Sequence, residues 1–80
     1  MILVDIDVPA QNKRYDFKLD ENVYIADILE ELWEILTLGK QSLKEKDSLM
    51  LCSMEKRQIL NNYQTLKQNG VGNGDCLILL

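Results

Sequence analysis

The sequence predicts an α+β fold in which one amphipathic helix packs on one face of a mixed, four- to five-stranded sheet. Two observations carry that expectation. Apolar residues alternate with polar ones at both ends of the chain, and they recur at three- and four-residue steps in one segment between. The resulting order is hairpin, helix, strand, short strand, strand, which supplies one helix to cover one sheet.

Ile2, Val4, Ile6 and Val8 alternate with Leu3, Asp5 and Asp7, the period of two of a strand with one apolar face. Pro9 to Lys13 breaks the pattern and supplies a turn. Tyr15, Phe17 and Leu19 then alternate with Arg14, Asp16 and Lys18, so the two strands form a hairpin. Asp20-Glu21-Asn22 is a polar stop whose side chains suit a helix start. Ile25, Ile28, Leu29, Leu32 and Leu36 follow on one stripe of a helix turning about 100° per residue. Asp27, Glu30, Glu31 and Glu34 gather opposite, with Trp33 and Ile35 at the borders, and the helix is expected to stop near Gly39.

Lys40 to Asp47 reads as a polar linker. Leu49 and Leu51 alternate with Met50 and Cys52 in a third strand, and a turn at Glu55-Lys56-Arg57 leads to a short strand near Gln58 to Leu60. Asn61 to Asn69 reads as loop with room for one helical turn. Asn69-Gly70 and Asn73-Gly74 are turn dipeptides, because Asn and Gly tolerate positive φ. Cys76 to Leu80 forms the last strand, with Leu77 and Leu79 facing the core, parallel to the first strand and beside it.

Eighty residues with 46% hydrophobic content fit one globular domain spanning residues 1–80, whose small core leaves a thin stability margin. A net charge of −4 disfavours nucleic acid, which needs clustered Lys and Arg, and disfavours an anionic membrane surface. The segment from Ile25 to Leu36 is interrupted by four acids, and the amino terminus reaches Asp5 without a basic region, so neither a membrane span nor a signal peptide is expected. Cytoplasmic residence and reduced Cys52 and Cys76 follow as expectations. The chain has no histidine and no C-x-x-C spacing, so no zinc site and no catalytic constellation is expected.

The carboxyl-terminal third carries a more specific signal. Thr65-Leu66, Gly70-Val71, Asn73-Gly74-Asp75 and Leu77-Ile78-Leu79-Leu80 resemble the end of the bacterial YukD/EsaB family, whose pattern is L-x-x-x-G-[IV]-x-N-G-D-x-L; Trp33 after an apolar run fits as well. The whole chain is similar to the ubiquitin superfamily. The resemblance implies a ubiquitin-like β-grasp fold and an accessory or regulatory role in type VII secretion in Gram-positive bacteria. It implies no cofactor, no catalysis and a protein partner belonging to the secretion system. It also implies, if pairing follows ubiquitin, that Cys52 and Cys76 oppose each other on adjacent antiparallel strands. One departure bears on mechanism. Ubiquitin and the sulfur carriers need a loose Gly-Gly extension to be adenylated, whereas here Ile78-Leu79-Leu80 lie in or just past the last strand and Gly74 precedes it. Conjugation and sulfur transfer are therefore not expected.

Four groups of residues are candidate sites. Gly70 to Gly74 could be a phosphate loop, but no helix can follow it, and turn chemistry is the stronger reading. Asp5, Asp7 and Asp16 could pair as acids or hold a metal, yet Arg14 and Lys18 alternate beside them, as on a solvated surface. The acidic helix face reads as a solvated exterior before it reads as a dock for a basic partner. The remaining candidate is apolar: Leu3, Met50, Cys52, Cys76, Ile78 and Leu80 are expected on the open sheet face, where polar residues are normal. A contiguous apolar patch there marks a protein-binding surface, with cover by a terminus or a homodimer contact as the competing reading. The two cysteines are expected to act as small apolar side chains, not as a redox switch, and the lysines and arginines in the loops as solubilising charge.

Overall fold

The computed structural model describes residues 1–38, 43 and 45–80. The expected end of the helix at Gly39, and Lys40 and Lys44 of the linker, lie outside the described residues. Among the described residues five strands and one helix follow in order: β1 (Ile2–Val8), β2 (Lys13–Leu19), α1 (Ile25–Thr37), β3 (Leu51–Ser53), β4 (Gln58–Ile59) and β5 (Cys76–Leu79), with 3₁₀ turns at Pro9–Gln11 and Lys46–Ser48. The sheet runs β2-β1-β5-β3-β4. β1 and β5 are parallel, and the other pairings are antiparallel. The mixed sheet under one helix is the α+β arrangement the alternation predicts.

Each residue of the helical stripe, Ile25, Ile28, Leu29, Leu32 and Leu36, is buried. They meet Val4, Ile6, Val8, Leu51, Leu77 and Leu79 from the inner sheet face. Burying such a side chain contributes roughly 1.5–3 kcal/mol before the entropy of ordering it is subtracted. The core also takes Leu60, Leu66 and Val71 from irregular backbone. The hairpin turn closes where Asn12 adopts a left-handed φ of 53° and donates its N–H to the Pro9 carbonyl.

The start of α1 departs from expectation. Asp20 does not cap the helix; its carboxylate accepts the Asn22 N–H in a local turn. Tyr24 stands at the N-cap with no side-chain bond. The first free amides are satisfied from afar instead: Ile25 N–H donates to the Gln64 carbonyl and Ala26 N–H to that of Asn62. Carbonyls of the β4–β5 connection thus do the work of a cap.

Candidate functional site

The outer sheet face is divided in two by the register. One row crosses all five strands as Arg14, Asp7, Ile78, Cys52 and Ile59. Beside it run Asp16, Asp5 and Cys76. The β2–β1 half is charged, with Arg14 facing Asp5 at 3.7 Å. The β5–β3–β4 half is apolar. There Ile59 is 61% exposed, Met54 46%, Leu80 40% and Met50 37%. Met50 and Leu80 exchange two backbone hydrogen bonds of 2.9 Å, extending the β3–β5 ladder past its assigned ends and placing both side chains on this face. A shallow cleft of about 320 Å³ opens among Cys52, Met54, Arg57, Ile59 and Ile78.

The expected site residues are distributed unevenly. Met50, Ile78 and Leu80 share the apolar half, and Cys76 borders it beside Asp5. Cys52 lies in its midst but is buried, flanked by its cross-strand partners Ile59 and Ile78. Burial pushes its thiol pKa up, so the group stays protonated. Leu3 is exposed on the same face but stands apart, across from Lys18 and level with Gly74. The expected Cys52–Cys76 opposition is wrong. Cys52 pairs with Ile78, whereas the Cys76 carbonyl accepts the Met54 N–H, two residues along. Alternation assigns a residue to a face but leaves the register of the partner strand open.

Sequence reasoning misses Ile59 and Met54: β4 is only two residues long, and Met54 lies just past the end of β3, so neither sits in a run long enough for alternation to show its face.

The remaining candidates dissolve into structure. In the Gly70–Gly74 loop the Val71 N–H goes to the Leu66 carbonyl, the Gly72 N–H to the Asp75 carboxylate and the Gly74 N–H to the Leu3 carbonyl. Those donors are therefore not turned toward an anion. Asn73 Oδ1 accepts the Leu3 N–H at 2.8 Å, so the Asn-Gly-Asp motif splices β5 onto β1. Among the described residues no group of three or more acids or cysteines could hold a metal ion. Nor is any helix among them long and apolar enough to cross a membrane.

Comparison with solved structures places the chain among ubiquitin-like folds. It superposes on the N-terminal ubiquitin-like domain of the 4931431F19Rik protein with a TM-score of 0.78 at 22% identity, covering 99% of this chain and 72% of that one. For the ubiquitin of Caldiarchaeum subterraneum the values are 0.75 and 18%, over 98% and 89% of the two chains. The ubiquitin-like domain of Arabidopsis thaliana protein At2g32350 gives 0.75 and 12%, over 99% and 74%. No curated protein sequence matches the chain significantly. The family that does match is described as WXG100 protein secretion system (Wss), protein YukD; the match spans residues 3–79, and the chain belongs to that family.

Proposed function

We propose that this protein is a non-catalytic docking module of a type VII (WXG100) secretion system, acting as an accessory or regulatory component in the cytoplasm of a Gram-positive bacterium. The YukD family assignment supports the secretion link. The observation that carries the docking reading is the composition of the β5–β3–β4 half of the outer face. Met50, Met54, Ile59, Ile78 and Leu80 leave apolar surface there, where a solvated sheet face is ordinarily polar. In this reading Ile59 and Met50 are desolvated as anchors, while the charged β2–β1 half fixes orientation. No cofactor and no chemical step is assigned to the module.

The experiment replaces Ile59 and Met50 by Asp, singly, and measures the recovery of the cognate secretion components alongside the circular dichroism of each variant. Loss of recovery with an unchanged spectrum supports the reading, and full recovery by both folded variants overturns it. The exposure of Ile59 on the edge strand β4 also favours a second reading, a homodimer through this half of the face. Light scattering across a concentration range separates the two.

A further inference from the structure

Beside the first turn of α1 lies a groove that the secretion reading does not use. Two shallow cavities adjoin there and share Ala26 and Asn62. One, of about 340 Å³, runs between Tyr24 and Tyr63; the other, of about 200 Å³, continues over Leu29 and Leu49. Tyr24 is 54% exposed and Tyr63 87% exposed, although both stand on fixed backbone. Tyr24 forms a bridge with Thr65, and its carbonyl accepts the Asp27 and Ile28 amides. The Tyr63 N–H is held by Asn61 Oδ1 at 2.9 Å. The backbone that carries the two phenols is thus fixed before any ligand arrives, which lowers part of the ordering cost of binding.

Among the described residues the rim is acidic on balance. Asp27, Glu30 and Asp47 border the groove against one lysine, Lys46, which is 3.4 Å from Glu30. Among the described residues Asp27 and Asp47 form no ion pair. The helix amides at Ile25 and Ala26 are already engaged by carbonyls, so the helix terminus offers no anion site to offset these carboxylates. Asn62 lines both cavities, and its carboxamide forms no hydrogen bond among the described residues, which leaves a donor and an acceptor for a peptide backbone. The exposed methyl of Ala26 keeps the shared floor low.

We propose that this groove binds an extended, proline-rich segment carrying Lys or Arg. Flat aromatic walls suit proline rings, whose polyproline helix is preformed and leaves its backbone groups unpaired. The carboxylates of Asp27 and Asp47, which form no ion pair among the described residues, select a cation next to them.

The test is a ¹⁵N–¹H NMR titration of the protein at low salt with the peptide Ac-Pro-Pro-Arg-Pro-Pro-Arg-Pro-amide. Matched peptides carry Glu in place of Arg, or Ala in place of Pro. The expected shifts fall on the amides of Tyr24, Ala26, Asp27, Asn62 and Tyr63, and both control peptides bind at least about tenfold more weakly. Tyr63→Ala, at a highly exposed position that folding does not need, loses about tenfold in affinity; Asp27→Asn loses less and flattens the salt dependence. Absence of shifts at millimolar peptide, shifts confined to the outer sheet face, or equal binding of the Glu peptide each overturns the proposal. A basic amphipathic helical peptide that binds here more tightly than the proline peptide also overturns it.

Discussion

The ammonium of Lys56 rests on the backbone of Gly70, donating to the Gly70 and Asn69 carbonyls at 3.1 Å each. This contact ties the β3–β4 turn to the loop that leads into β5. Gly70 has a φ of 77°, and a Cβ there would run into the Lys56 ammonium. Lys56→Ala is expected to cost about 0.5–1.5 kcal/mol, since the bonds lie at the surface. Gly70→Ala is expected to cost about 1–2 kcal/mol from the left-handed backbone alone. Because the two residues touch, urea denaturation of the double variant should show a smaller loss than the two single losses together.

Leu66 is fully buried although its surroundings are irregular backbone. Leu66→Ala should cost about 2–5 kcal/mol, a large fraction of the stability of so small a protein. A lowered urea midpoint with an unchanged slope is the expected result, whereas a change within experimental error would show that this loop is not part of the core.

Glu21 connects stability to pH. Its pKa is lowered chiefly by its own backbone N–H, then by the amino-terminal ammonium, which forms an ion pair with the carboxylate at 3.0 Å. A folded-state value below the unfolded one means the carboxylate contributes stability above the ordinary Glu range. That contribution is lost as pH falls through the lowered value. Thermal melts of wild type and Glu21→Gln should therefore converge as the pH falls below that value and differ at neutral pH, with wild type the more stable.

The two thiols should differ in reactivity. Cys52 is buried and its pKa is raised by desolvation, whereas Cys76 is half-buried. Iodoacetamide labelling at neutral pH, followed by peptide mass spectrometry, should modify Cys76 first. Labelling of Cys52 should become appreciable only as pH rises past the ordinary thiol range. Preferential modification of Cys52 would contradict its placement between Ile59 and Ile78.

Much of this architecture is legible in single residues. The helical stripe from Ile25 to Leu36 and the alternation from Ile2 to Leu19 each name the buried set, because one side of each element must face a core. What pattern does not carry is the relation between distant segments. The Cys52–Ile78 pairing is a matter of register, and the cap on α1 comes from Gln64 and Asn62, some forty residues away in the chain. Leu60, Leu66 and Val71 enter the core from turns, where no period exists to announce them. The apolar sheet half was visible from Met50, Ile78 and Leu80, but Ile59 completes it from a two-residue strand too short to display alternation. The Tyr24–Tyr63 groove depends on a bridge between the helix start and a loop, and no local pattern foreshadows it.

Docking of a secretion component on the β5–β3–β4 half of the outer face, as proposed, can be read out by site-specific photocrosslinking in cells, with benzoyl-phenylalanine placed at position 59 and, as a reference, at position 34 on the acidic face of α1. A crosslink to a component of the secretion apparatus from position 59 but not from position 34 is the predicted result. Crosslinks from position 34 alone, or equally from both, would contradict it.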